Sequence, residues 1–202
     1  MKGQSQLISV ALLTLIMISM IGVTYMWGIP LIEKQKDTVK ISNSERFMKE
    51  LDDKIQNVIK NGGIQKISNP DVGGTFRLED NGIKDVFVLE TQTTGTDIAT
   101  GKPIYVRGDA RDEIYLGGET GVLEVLSEKA SENTYDVTME LYYRNMTSSG
   151  SKYVIDIVGL GREVISPGEN NIIISEGNSP TGPIGTEGNK EIYMTLINVR
   201  LE

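Results

Sequence analysis

The sequence predicts an α+β protein in which a long hydrophobic helix and a second, amphipathic helix precede an antiparallel β-sandwich-like domain. Residues 4–32 contain no Asp, Glu, Lys or Arg. Apolar residues then recur at three- and four-residue steps as far as Gly62-Gly63, which is typical of an amphipathic helix. From residue 64 onward, short alternating runs are separated by Gly, Pro and Asn, and this pattern indicates an antiparallel sandwich or barrel.

The charge-free segment 4–32 is long enough to cross a bilayer. As an α-helix it would reach about 43 Å at ~1.5 Å per residue, whereas a hydrocarbon core of about 30 Å takes about 20 residues. Tyr25 and Trp27 stand near its end, where aromatic residues gather at a membrane interface. Pro30 follows. Because proline removes a backbone donor and clashes with the preceding turn, we expect a kink or a break there.

The second helix is predicted within residues 33–63. Ser42 and Glu45 have the spacing of a capping box, which favours a helix start at Ser42, and Gly62-Gly63 favours its end. The residues of its apolar face are Phe47, Met48, Leu51, Ile55, Val58 and Ile59. We expect this face to pack against the β domain that follows.

Residues 64–202 are expected to form one extracellular β domain. Asn81-Gly82 separates strands predicted over 75–79 and 83–92, and this dipeptide is typical of a hairpin turn. Further strands are predicted over 103–107, 113–116, 122–127, 134–143, 152–158, 171–175 and 191–201. In the last strand the apolar residues change parity after Leu196, which predicts a β-bulge. The Gly- and Pro-rich residues 178–189 are predicted to form an exposed loop.

Composition excludes several classes of function. The chain of 202 residues has 20 Lys and Arg against 28 Asp and Glu, a net charge of −8, and an acidic chain is poorly suited to the phosphate backbone of nucleic acid. It contains no His and no Cys, which excludes catalytic triads with His, disulfides and thiolate or imidazole metal sites. We expect no enzymatic activity, no cofactor, no metal and no nucleic-acid partner.

Two local motifs and one acidic loop require interpretation. Arg107-Gly108-Asp109 has the letters of a cell-adhesion tripeptide, but chance and a tight turn explain it better. Asn145 begins an Asn-Met-Thr tripeptide, a possible N-glycosylation acceptor that we expect at the exposed end of a strand. Asp109, Asp112 and Glu113 could offer oxygen ligands to Ca²⁺, although a solvated acidic loop is favoured.

The start of the chain resembles the class III signal of archaeal type IV pilin-like proteins. Lys2-Gly3 precedes Gln4-Ser5-Gln6 and the apolar run of residues 7–13. In that family a prepilin peptidase cuts after the Gly of a short basic tip, and the apolar helix is retained. The resemblance therefore implies cleavage between Gly3 and Gln4, with removal of residues 1–3. A secretory signal is instead cut beyond its apolar region, where this sequence offers no such site.

The resemblance also implies a function. The precursor would lie in the cytoplasmic membrane through a single-pass helix, residues 4–32. A membrane platform driven by an ATPase would then move it into a homopolymeric surface filament for adhesion or attachment, with apolar helices inside and β domains outside. The alternative is an uncleaved or minor-pilin-like membrane anchor. Its β domain would bind another envelope component, as an archaellum-stator-like protein would.

Overall fold

The computed structural model consists of one long helix followed by a β domain. It describes residues 2–68, 73–80, 85–95, 98, 101–161, 164–165 and 171–202, with side chains described from Ile8 onward. Helix α1 (Lys2–Asn61) is 60 residues long. The arrangement agrees with the α+β class that the sequence predicts.

The β domain is built from two sheets. Within the described ranges its strands are β1 (Ile64–Ser68), β2 (Gly74–Asp80), β3 (Asp85–Thr94), β4 (Ile104–Arg107), β5 (Glu113–Tyr115), β6 (Gly121–Lys129), β7 (Thr134–Tyr143), β8 (Asn145–Thr147), β9 (Ser151–Gly161), β10 (Val164–Ile165), β11 (Asn171–Glu176), β12 (Gly185–Glu187) and β13 (Lys190–Leu201). Sheet A has the order β1-β11-β13-β9-β8-β5, with β12 also beside β13, and sheet B has the order β10-β2-β3-β7-β6-β4. Most pairs are antiparallel, as predicted, but β9 with β13 and β5 with β8 are parallel.

The prediction of a second, separate helix is wrong. Residues 33–61 belong to α1, which runs through Pro30 without a break. Proline removes a single N–H donor, and the long helical stretches on both sides keep their own hydrogen bonds. Ser42 and Glu45 consequently lie inside the helix, where Ser42 is exposed and caps no helix end.

The end of α1 is where the sequence places it. Gly62 takes a left-handed conformation (φ 68°), and its N–H donates to the Val58 carbonyl at 2.8 Å. A residue in this conformation ends a helix because it turns the chain away while still satisfying a carbonyl of the last turn.

One hydrophobic core joins α1 to both sheets. The apolar face predicted for residues 47–58 is buried. Phe47 packs edge-on against Phe76 of β2, with ring centroids 5.4 Å apart, and Phe76 stacks on Phe87 of β3 at 5.9 Å. Sheet A adds Ile172 and Ile197 to the same core. The C-terminal part of α1 is therefore a structural element of the β domain.

Two finer predictions in the β domain have different outcomes. Strands β2 and β3 pair with Asp80 opposite Asp85, as a hairpin requires, while the predicted turn at Asn81-Gly82 lies outside the described residues. The β-bulge predicted in the last strand is wrong, because β13 keeps one continuous register along β9. The change of parity instead reflects a strand that carries apolar residues on both of its faces.

Candidate functional site

Helix α1 divides at Asp37 into two parts with opposite surroundings. We call residues 8–36 the projecting helix, because every one of its residues is exposed apart from the half-buried Gly28. Tyr25 is 68% exposed and Trp27 is 81% exposed. Helix α1 is long and apolar enough to cross a membrane, and none of its most apolar 18-residue stretch is buried inside the protein. A large apolar surface therefore extends from the β domain with no covering from the described chain.

The β domain contacts the helix from Asp37 onward. Asp37 is 8% exposed, and its Oδ2 accepts a hydrogen bond from the backbone N–H of Thr94 at 2.7 Å. One turn further, Lys40 Nζ donates to the Gln92 carbonyl at 2.9 Å. Both contacts hold the end of β3 against the helix. Asp37 lies only about 7.5 Å beyond the last residue of the charge-free segment, at ~1.5 Å per residue.

A buried polar cluster of Asp52, Arg107 and Tyr143 fixes the helix within the domain. Asp52 is 2% exposed; its Oδ1 accepts a hydrogen bond from the Tyr143 hydroxyl at 2.9 Å, and its Oδ2 pairs with the Arg107 guanidinium. Arg107 also contacts Asp53 at 2.9 Å. A Cβ on Gly121 would lie 2.5 Å from Asp52 Oδ1, so the carboxylate needs glycine at that position.

The environment of this cluster keeps Tyr143 protonated. Burial raises the pKa of the Tyr143 hydroxyl well above its usual range, and the nearby Asp52 carboxylate raises that pKa further. The phenol therefore remains a hydrogen-bond donor to Asp52. Because α1, β4 and β7 each supply one member, the cluster fixes the rotation of α1 relative to sheet B.

The Arg107-Gly108-Asp109 motif is used inside the domain. Arg107 belongs to the buried polar cluster, and Gly108 takes a left-handed conformation (φ 75°). Asp109 pairs with Arg144 at 2.7 Å and with Arg111 at 2.6 Å, and the hydrogen bonds from Arg111 hold the pKa of the Asp109 carboxyl well below its usual range. These contacts support the interpretation of the motif as a tight turn with engaged charges.

The same ion pairs engage Asp109, one of the three residues of the acidic loop with Asp112 and Glu113. Both carboxylate oxygens of Asp109 accept hydrogen bonds from arginine side chains. In the part of the chain that the structure describes, no group of three or more acidic residues is placed to hold a metal ion.

The remaining predicted site residues lie in three separate places. Gly3 and Gln4 are within α1, and their side chains lie outside the described set. Tyr25 and Trp27 are on the projecting helix, near the end of its charge-free run. Asn145 is the first residue of β8 and is half-buried rather than exposed. Glycosylation there stays a prediction.

Sequence reasoning missed the buried polar cluster, although one signal was present. Asp52 lies four residues after Met48 and three before Ile55, which places a carboxylate on the apolar face of the helix. A charge at such a position requires a buried partner. Arg107 and Tyr143 carry no comparable local signal.

A cleft of about 700 Å³ lies beside the cluster, between the end of α1 and the loop after β5. Met146 and Ile155 provide apolar lining, whereas Asn57 and Lys60 provide polar groups. Leu116 also lines the cleft and is 56% exposed.

A comparison with known protein families gives a match. A family model with the description "Family of unknown function (DUF7289)" matches residues 2–133, a range that includes all of α1 and strands β1 to β6. No curated protein and no solved structure matches the chain.

Proposed function

The chain belongs to DUF7289, a family of unknown function, and we propose that it is a structural subunit of an archaeal type IV pilus-like surface filament. The observation that carries the proposal is the unbroken helix α1. One part of this helix is apolar and exposed, and the other part belongs to the core of the β domain. A filament subunit needs both parts, because its helix first lies in a bilayer and later packs against copies of itself.

The exposed apolar surface supports a membrane-bound precursor. Monomeric soluble proteins rarely expose apolar patches beyond roughly 300–600 Å², and the projecting helix exposes large apolar side chains from Ile8 to Ile32. Its charge-free run exceeds the roughly 20 residues that a bilayer requires. In the proposed topology the tip of residues 1–3 lies in the cytoplasm and the β domain lies outside the cell.

The rigid connection between helix and domain supports assembly into a filament. Asp37 and the buried polar cluster attach α1 to the strands at two levels, so a force on the domain also moves the helix. In the proposal, prepilin peptidase cuts between Gly3 and Gln4, and an ATPase-driven platform lifts the subunit out of the membrane. Identical head-to-tail contacts that do not close into a ring then give a filament, whose task is surface attachment.

A second candidate function is a membrane-anchored domain that binds another envelope component. The cleft beside Leu116 favours it, because an open cleft with an exposed apolar side chain suits a partner segment. Such an anchor would keep its N-terminal tip and would stay with the membrane.

Mass spectrometry of the N-terminal residue distinguishes the two functions. We expect sheared surface filaments to contain a chain that starts at Gln4. A Gly3→Leu variant should keep Met1 and be absent from filaments, because the peptidase cuts after a small residue in the family that the tip resembles. Gly150→Ala is the control, since it lies in the β domain, outside the helix that assembles, and its added Cβ meets no atom within 4 Å. Wild-type protein that starts at Met1 and occurs only in washed membranes would overturn the filament proposal in favour of the anchor.

A further inference from the structure

The outer face of sheet B, which points away from the core, combines acidic residues on β6 and β7 with a small apolar cluster that is already buried, formed by Val86, Val88, Val122 and Tyr142. Val125 and Val137 point into the core, so the alternate residues of β6 and β7 point outward. Glu124 lies opposite Glu140, and Glu128 lies opposite Asp136. Like charges directly opposite each other are unfavourable in an antiparallel pair. Water around the exposed Glu128 and Asp136 reduces that repulsion, so this acidic part of the face suits exposure to solvent.

The outer face of sheet A is different. Ile157 and Ile197 are paired and point into the core, so the alternate residues of β9 and β13 point outward. The apolar side chains among them are Val154, Val158, Leu160, Ile192, Met194 and Leu196. Val158 is 37% exposed and Leu160 is 40% exposed. Apolar residues on both faces are typical of parallel strands that are covered on both sides. Strands β9 and β13 pair in parallel and carry apolar residues on both faces.

We propose that a second copy of this chain covers the outer face of sheet A in the filament. The inference rests on the proposed function and names one of its subunit contacts. Charge selects this face, because two copies of a chain with net charge −8 repel each other through acidic surfaces. On the outer face of sheet A both signs of charge are present: Lys152 contacts Glu113 at 3.1 Å and Glu187 at 2.5 Å, and Arg200 contacts Glu202 at 3.3 Å. Asp156 and Lys66 lie on the same face by strand alternation, so the face has no excess of acidic residues comparable with that of the whole chain.

The size of the face fits a contact within a filament better than a free dimer. The outer face of sheet A is formed mainly by the neighbouring strands β1, β11, β13 and β9. With a spacing of ~4.8 Å between strands and about eight residues per strand at ~3.3 Å each, its area is roughly 500 Å². A stable interface buries about 800 Å² per partner. The face alone is therefore too small for a stable dimer in water. The face can still stabilise a filament in which packed helices already hold two copies side by side. The helices give the two faces a high effective concentration, so a small contact between them forms readily.

The absence of cysteine from the chain allows a direct crosslinking test. Val158→Cys, labelled with a benzophenone maleimide on intact cells and illuminated, should give a product of twice the chain mass whose joined peptides both come from this protein. Leu126→Cys is the matched control, because Leu126 is half-buried on the outer face of sheet B. We expect at least a fivefold excess of the product from position 158. Equal yields from the two positions, or a partner peptide from another protein, would overturn the inference.

A charge placed on each face tests the energetic contribution of the contact. Leu160→Lys should lower the yield of sheared filaments at least tenfold while the start at Gln4, the membrane level and the protease resistance of the β domain stay unchanged. Leu126→Lys, between Glu124 and Glu128, should leave filament yield unchanged. Normal filaments from Leu160→Lys would refute this contact and leave the proposed function intact, whereas wild-type cells without filaments or a Gln4 start would refute the proposed function itself.

Discussion

Asp52 occupies a position in α1 where the apolar pattern predicts a core residue. Its carboxylate is almost fully buried, and its two oxygens contact Arg107 and Tyr143. A buried ion pair contributes little net stability compared with apolar residues of the same volume, but loss of one partner is costly, because the other charge is left without compensation. At the residue scale, Asp52 therefore makes the docking of α1 specific rather than merely favourable.

Replacement of Asp52 should destabilise the protein far more than replacement of its neighbour. Asp52→Ala leaves a guanidinium and a phenol without their acceptor, and we expect a loss of about 3 kcal/mol in the free energy of unfolding. Asp53→Ala is the control, since its side chain is 68% exposed and an exposed ion pair contributes about 0.5 kcal/mol. Chemical unfolding of the full-length protein in detergent measures both. Equal losses would show that the buried polar cluster does not fix the helix.

The sequence could predict this position but not its partners. The interruption of the apolar face by a carboxylate is visible within one helical turn. Arg107 is 55 residues away in sequence, and Tyr143 is 91 residues away. Only the packing of β4 and β7 around the helix brings them together, and no local pattern of apolar and polar residues contains that information.

At the scale of elements, the end of α1 depends on the conformation of one glycine. Gly62 has a positive φ, and an added Cβ would lie 2.9 Å from Glu176 Oε2. Gly62→Ala should therefore lower stability by about 1 kcal/mol, because alanine avoids the left-handed region. Gly150→Ala is the control, since its Cβ would meet no atom within 4 Å. Thermal unfolding measures both variants, and equal midpoints would contradict a required left-handed cap.

Local signals predicted strands more successfully than helix boundaries. The strand predicted over 134–143 is β7 with the same bounds, because its alternation of apolar and polar residues is continuous. Pro30 and the capping-box spacing at Ser42 gave a false helix start, since helix continuity depends on the whole 60-residue element. Strands β1, β8, β10 and β12 were not predicted. The last three have only two or three residues each, whereas β1 has five residues and is defined by its pairing with β11.

At the scale of the whole molecule, the two parts of α1 should be separable. A chain of residues 34–202 lacks most of the projecting helix and keeps Asp37, Lys40 and the buried apolar face. We expect it to be soluble in water, resistant to limited trypsin digestion and monomeric on gel filtration. It should be monomeric because the outer face of sheet A, at roughly 500 Å², is smaller than a stable interface requires.

A second truncation shows where the β domain begins. A chain of residues 49–202 additionally lacks Phe47 and Met48, which are 3% and 0% exposed. Loss of each large core side chain costs about 3 kcal/mol, a large share of the ~5–15 kcal/mol that stabilises a domain. This chain should aggregate or be digested. If residues 34–202 aggregate as well, the β domain needs the projecting helix for its own stability, and the two parts of α1 are not separable.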